Sequence, residues 1–285
     1  MAKNTDRTML PTMPAFVLAL LCTATVSPVL AGGELSPTPA PLQKITWSIG
    51  AEIYNFKYEE SIMDEEGVFY GFNLGCAWRP WATDVQTDSP PDGGPMFGFE
   101  GRAAFGQVDY DGALDDGTPL TVNNIDDYAL EVRGIIGMDQ LAGEAIHNVY
   151  VGIGYRYLND DLAVHPAGYE RESNYLYLPI GFQLGVGLEE GWSWGARLEY
   201  DIFLWGEQRS HLRQADPTLP NIRNDQDEGF GYRASVRIQH KHSDGILIIE
   251  PFFRFWDIED SEVSLGWLEP ANETTEYGIQ FIWMF

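Results

Sequence analysis

Residues 274–285, the last twelve of the chain, read TTEYGIQFIWMF. Every second position holds a large apolar side chain, and these positions are Tyr277, Ile279, Phe281, Trp283 and Phe285. Because successive side chains of a β-strand point to opposite faces, this period of two predicts a strand with one wholly apolar face. The opposite face carries Glu276, Gly278 and Gln280. Such a strand either packs its apolar face into a soluble core or presents it to lipid.

The same alternation recurs nine more times upstream. The segments are residues 45–54, 70–78, 97–105, 128–138, 149–157, 175–188, 192–204, 230–238 and 247–255. Strands of roughly ten residues have the length that crosses a bilayer at a tilt. The pattern predicts an all-β fold of ten strands, with eight or twelve as alternatives.

A soluble β-sandwich also alternates with a period of two and is the main competing fold. However, aromatic residues stand at the ends of the apolar faces, as they do in the girdles at membrane interfaces. Those residues are Trp47, Trp78, Tyr128, Tyr157, Trp192 and Trp283. The polar faces are rich in glycine, arginine and glutamate, which suits a narrow lumen better than a solvated sheet. Both features favour a membrane barrel.

The N-terminus has the parts of an export signal. Lys3 and Arg7 precede the apolar stretch AFVLALLCTATV, and small residues ending at Ala31 form a cleavage site. The predicted organisation is a signal peptide at 1–31, a Pro-rich periplasmic lead-in at 32–43 and a barrel at 44–285. The full chain has 285 residues and a formal net charge of −26, and cleavage leaves −27. Cys76 is then the single cysteine, so no intramolecular disulfide is expected.

With these features, the mature chain resembles Gram-negative outer-membrane β-barrel proteins. The apolar face that ends on Phe285 is similar to the C-terminal signal read by the barrel-assembly machinery. The resemblance implies a closed, antiparallel, up-and-down transmembrane barrel whose last strand pairs with the first. It also implies localisation in the outer membrane, with lipid, lipopolysaccharide and the assembly machinery as partners. A monomer is expected, and no nucleic-acid partner.

The predicted connections alternate in length, as in outer-membrane barrels with short periplasmic turns and long outer loops. The long ones are acidic, and their sequences include EESIMDEEG, DYDGALDDGTPLTVNNIDD, NDDLAVHPAGYERE and DIEDSEVSLGWLEPANETTE. Divalent cations are candidate partners there, although no loop has the regular ligand spacing of a dedicated calcium site. One connection, residues 79–95, is long where a short turn is expected. Either that turn is elaborated, or the second strand ends elsewhere.

The expected lumen is narrow and filled. Ten tilted strands give a backbone radius of roughly 10 Å, and large inward side chains would occupy most of it. The inward aromatic residues are Tyr54, Phe69, Tyr150, Tyr175, Tyr177, Phe203, Phe252 and Trp256. The inward charges are Glu52, Glu100, Arg102, Glu131, Arg133, Arg156, Arg197, Glu199, Asp201, Arg233, Arg237, Glu250 and Arg254. Six acids against seven arginines predict an ion-paired interior, because buried charges are costly unless paired.

These observations predict a non-enzymatic barrel with a structural or surface-contact role. A narrow channel that favours cations, which an acidic rim would concentrate, is the first alternative. We predict no catalytic, cofactor-binding or metal site.

A rim hydrolase is the second alternative, because omptin proteases are also ten-stranded and resemble this chain in architecture. Asp109-Tyr110-Asp111 looks like one half of their site, and His211 like part of the other. The acid that this family places two residues before the histidine is Arg209 here, so His211 lacks an orienting carboxylate. The spacing of His240, His242 and Ser243 is similar to that of lipid A deacylases, but this stretch is expected to be a periplasmic turn.

Overall fold

The computed structural model describes residues 42–82, 92–113 and 117–285. Its strands are β1 Ile45–Glu60, β2 Asp64–Trp78, β3 Gly93–Ala113, β4 Pro119–Ala142, β5 Ala145–Asp161, β6 Glu170–Gly187, β7 Trp192–Ser210, β8 Ile222–Gln226, β9 Gly229–Lys241, β10 Ile246–Ile258 and β11 Asn272–Met284. Short 3-10 turns lie at Leu162–Val164, Glu189–Gly191 and Leu212–Gln214. The proposed signal peptide and nearly all of the lead-in lie outside the described residues. Within the described ranges, no helix has the length and apolarity to cross a membrane.

Ten of these strands form a closed antiparallel barrel, as the alternation predicts. Each strand pairs with its chain neighbours, and β1 pairs with both β2 and β11. At the closing seam Phe285 and Trp47 exchange two backbone hydrogen bonds of 2.8 Å each. The short β8 pairs with β7 alone in the described chain, so it is an appendage of the outer end and not an eleventh barrel strand.

The outward side chains form a continuous apolar belt. Trp47, Phe72 and Ile136 are 51%, 63% and 57% exposed, and a contiguous exposed apolar surface of this extent is rare on soluble proteins. Aromatic pairs flank the belt, with ring centroids 5.2 Å apart for Trp78 and Phe97. Backbone groups in lipid have to be paired within the protein, and the closed ring does this. The chain is therefore an outer-membrane β-barrel, and the outer membrane is its location.

The five apolar side chains quoted for the last strand lie on the lipid-facing side of β11. Tyr277, Phe281 and Phe285 are about half exposed on the outside of the barrel. Their neighbour Ile279 lies opposite Ile53 of β1 and Pro251 of β10. Recognition of this strand by the assembly machinery stays a prediction.

Several strands are longer than the expected ten residues, with β3 at 21 and β4 at 24. Most of the acidic stretches EESIMDEEG and DYDGALDDGTPLTVNNIDD is therefore barrel wall and not loop. Apolar alternation ends where the outer face leaves the lipid, at Ile53, Val68, Phe105, Tyr128 and Tyr157. Strand pairing continues beyond this edge because it depends on backbone hydrogen bonds, which polar side chains do not interrupt.

The inner, periplasmic end carries both ends of the barrel sequence and the short connections 143–144, 188–191 and 242–245. The long connection after β2 also lies at this end. β2 ends at Trp78, and the Arg79 N–H donates to the Lys44 carbonyl over 2.8 Å. The turn is thus elaborated, and the second strand ends where the sequence places it. Residues 83–91 of this turn are outside the described ranges.

Inward glycines make room for tyrosine rings on the next strand. Gly154 of β5 lies opposite Tyr177 of β6, and Gly181 lies opposite Tyr150. A Cβ built on Gly154 or Gly181 would overlap the ring of its partner tyrosine. The missing side chain is therefore what lets each ring lie flat against the wall.

We expect Gly154→Val to destabilise the barrel by about 1–3 kcal/mol, because the added methyl groups overpack against Tyr177. The matched control is Gly134→Val on the paired strand, where the outward position has open space around it. The measurement is urea unfolding of protein refolded into lipid vesicles. Equal effects of the two substitutions would contradict this role of Gly154.

Candidate functional site: the filled lumen

The inward positions of the ten strands fill the lumen in three layers. A polar cavity opens at the inner end, an ion-pair network spans the middle, and aromatic clusters occupy the outer half. All thirteen charges that the sequence places inward have ion-pair partners here. The layers determine whether anything can pass.

Glu276 of β11 is the centre of the first ion-pair group. Its carboxylate accepts from Arg102 at 2.8 Å, Arg254 at 3.0 Å and Arg156 at 3.1 Å. These arginines come from β3, β10 and β5, so the group crosses the lumen from wall to wall. Glu52 binds Arg102 and lies 3.2 Å from Arg254, and Gln280 donates to it over 2.6 Å.

Glu199 of β7 is the centre of the second group. Its carboxylate lies 2.5 Å from Arg133 and 3.0 Å from Arg233. Arg233 also donates to Asp201 over 2.8 Å and pairs with Glu131. Glu100 joins this group by pairing with Arg133 and with Arg197. Toward the inner end, Arg237 donates to Glu250 over 2.8 Å.

Glu276 is the network member that the sequence-based charge count left out. It shares the inward face of β11 with Gly278 and Gln280, but it lies in a segment assigned to an acidic loop. With Glu276 included, seven acids face seven arginines, so the middle of the lumen is neutral. Arg156 has no other ion-pair partner among the described residues.

Aromatic side chains close the lumen above and around the network. Trp256 is buried, with its ring centroid 5.0 Å from that of Tyr177 and 6.4 Å from that of Tyr175. The Arg156 guanidinium lies 5.5 Å from the Trp256 ring and the Arg233 guanidinium 5.4 Å from the Tyr177 ring. A second buried cluster contains Tyr54, Phe56, Phe69, Phe252, Val108, Ile125 and Leu158.

A cavity of about 220 Å³ occupies the inner end of the lumen. Its lining includes Ser48, Asn73 and arginines of the network. Those arginines are Arg102, Arg133, Arg197, Arg233, Arg237 and Arg254. The cavity therefore ends at the ion-pair network.

The outer end of the lumen holds an acidic cluster that the sequence analysis did not assign. Glu65 of β2, Asp127 of β4 and Asp160 of β5 are buried and lie together. Arg171 of β6 approaches this region, 2.7 Å from Asp160 and 2.5 Å from Glu60. Burial, reinforced by Asp160, raises the pKa of the Glu65 carboxyl well above its usual range.

The residues of the hydrolase hypothesis do not form one site. Asp109 and Asp111 are exposed on β3, where they accept from the Asn124 N–H and the Thr121 hydroxyl. His211 follows β7, which is four strands away from β3 around the barrel. Its ring contacts Glu172 and Asn221. Whether the chain has an enzymatic activity is still a matter of prediction.

His240 and His242 lie at the inner end, where their ring nitrogens are 3.3 Å apart. The ring of His240 packs against Trp192, and that of His242 against Trp283. Both histidines thus border the inner aromatic girdle.

Comparisons with known proteins find likenesses of overall shape. The translocator domain of the autotransporter NalP from Neisseria meningitidis is 11% identical, with 84% of this chain and 88% of that chain covered and a TM-score of 0.40. The Pseudomonas putida toluene transporter TodX is 8% identical, with 85% and 89% covered and a TM-score of 0.35. Neisserial surface protein A is 8% identical, with 84% and 97% covered and a TM-score of 0.32.

No family model and no curated protein matches the chain. At these identities and TM-scores, the solved structures assign no function to it.

We expect Glu276→Gln to destabilise the barrel by about 3–5 kcal/mol, because it leaves Arg156 buried without a counter-charge. The matched control is Glu273→Gln on the same strand, where the side chain is exposed. Unfolding in urea, followed by the mobility difference between folded and unfolded barrel on gels, gives both free energies. A loss for Glu276→Gln no larger than that for Glu273→Gln would contradict a structural role of the network.

Proposed function

We propose that this protein is a closed, non-conducting outer-membrane barrel whose role is structural or lies in contacts made at its outer surface. The observation that carries the proposal is the Glu276 group, which connects three opposing arginines across the lumen. Opening a path would separate these charges in a low-dielectric interior. That costs several kcal/mol for each broken pair.

The choice of arginine supports a fixed network over a mobile gate. A guanidinium offers five donors in a planar fork and pairs with two carboxylates at once. Arg233 does this with Asp201 and Glu131, and Arg102 with Glu52 and Glu276. Arg102 and Arg233 are each held by two carboxylates, which favours one arrangement of the side chains in the lumen.

The second candidate is a narrow channel, and the inner cavity is the observation in its favour. The cavity gives solutes an entrance from the periplasm up to the network. However, seven arginines and three glutamates line it, so the field within the cavity does not favour cations. The acidic outer segments would favour cations, but the arginines within the lumen oppose that preference.

The surface role is supported by acids that point outward above the apolar belt. Glu66, Asp109, Asp111 and Asp126 are exposed there, on β2, β3 and β4. At this height above the apolar belt we expect the head groups of lipopolysaccharide, which are also anionic. Divalent cations shared between these carboxylates and lipopolysaccharide are the partners we propose for this surface.

Single-channel recording of the refolded mature protein in planar bilayers at high salt tests the closed lumen. We expect no steps from wild-type protein that gels show to be folded. The positive control is a conducting outer-membrane porin refolded and recorded in the same bilayers. Reproducible steps from the wild type would overturn the proposal, and their reversal potential would show the preferred ion of the channel.

A further inference from the structure

The strongest unassigned feature is the acidic cluster at the outer end of the lumen. One oxygen each from Glu65, Asp127 and Asp160 lies within 4.8 Å of the other two. The three residues are 2%, 2% and 5% exposed. They come from three different strands, β2, β4 and β5, which β3 and the barrel curvature bring to one side of the lumen.

The hydrogen bonding of these carboxylates is incomplete. In the described part of the chain, one oxygen of each has no hydrogen-bond partner: Glu65 Oε1, Asp127 Oδ2 and Asp160 Oδ1. Asp127 accepts from the Asp161 N–H over 3.2 Å, and Asp160 accepts from Arg171. Buried polar atoms are nearly always satisfied, so three orphaned oxygens in one place indicate a missing partner.

The charges of the same region do not balance. Arg171 is the cation here, and its guanidinium lies within ion-pair distance of Glu60, Asp160 and Glu269. Within the described ranges, neither Glu65 nor Asp127 has an ion-pair partner. The middle of the lumen differs in this respect, because every acid there is paired with an arginine.

We propose that Glu65, Asp127 and Asp160 form a binding site for one Ca²⁺ ion. Calcium takes oxygen ligands at about 2.3–2.6 Å, so two oxygens that share one ion lie no more than about 5.2 Å apart, a limit that these three oxygens meet. The two positive charges of Ca²⁺ would balance the negative charges of Glu65 and Asp127, which have no ion-pair partner among the described residues. Magnesium fits less well, because it requires near-ideal octahedral geometry and retains several waters.

The position of the site explains what the ion would do. Glu65 is three residues from Val68, toward the outer end of β2, and Val68 is where the outer face of that strand leaves the apolar belt. The ion would therefore bind from the external medium. The ion would join β2, β4 and β5 above the membrane edge. There the strands no longer have lipid around them to hold the wall.

Calcium titration of the refolded, chelator-treated mature barrel in detergent tests the proposal by calorimetry. We expect one Ca²⁺ per chain. We also expect the thermal unfolding midpoint to rise by about 5–10 °C between excess EGTA and calcium at roughly 100 times the dissociation constant. Absence of binding, or a midpoint that does not change, would overturn the site and leave protons as the neutralising partners. A response to Mg²⁺ that Ca²⁺ does not match would overturn the choice of ion.

The discriminating variant is Glu65→Gln combined with Asp127→Asn, which keeps size and removes both unpaired charges. It should lose the calcium response. In EGTA it should unfold no earlier than the wild type, whereas a purely structural ion-pair role would lower its midpoint. The control Asp227→Asn, Glu273→Gln removes two exposed acids from the same end that belong to neither proposed cation-binding surface, and it should keep the full response. If the double variant does not refold, Glu65→Gln alone should weaken calcium binding at least tenfold, and unchanged binding would overturn the proposal.

Discussion

Charge neutrality inside a closed wall is the constraint on which this barrel depends. Lipid surrounds the membrane-spanning part of the wall, so an unpaired charge in the lumen has neither bulk water nor a distant counter-ion to stabilise it. The middle of the lumen meets this constraint with seven acids and seven arginines. Glu276 and Glu199 contribute most, because each is paired with arginines from three strands.

The two ends of the lumen differ from this middle in opposite ways. The inner end has an arginine-lined cavity that is open to the periplasm, where water and small anions can compensate charge. At the outer end Tyr58, Met63 and Leu162 are buried, and Glu65 and Asp127 in the same region lack a cation. A divalent ion bound there would balance these charges and stabilise strands that lie above the membrane.

The sequence predicts the barrel, its ten strands and the inward face of each strand, because alternation is a direct consequence of strand geometry. It failed where the alternation of hydrophobicity stopped but the strand did not. Glu65, Asp127 and Asp160 share the inward parity of Phe69, Glu131 and Arg156, yet all three lie beyond the apolar belt and were assigned to loops. Their meeting depends on strand register across β2 to β5, which no single strand's sequence specifies. Glu276 was missed for the same reason.

The most direct test of the closed lumen is the exchange of arginine Nε–H protons in D₂O, followed by NMR on the refolded barrel. Arg102 and Arg233 donate these protons to Glu52 and Asp201, whereas Arg209 and Arg223 at the outer end have side chains that are 51% and 58% exposed. The account predicts that the Arg102 and Arg233 signals persist long after those of Arg209 and Arg223 have disappeared. Equally fast loss of all four would show a water-filled lumen and contradict the ion-paired plug.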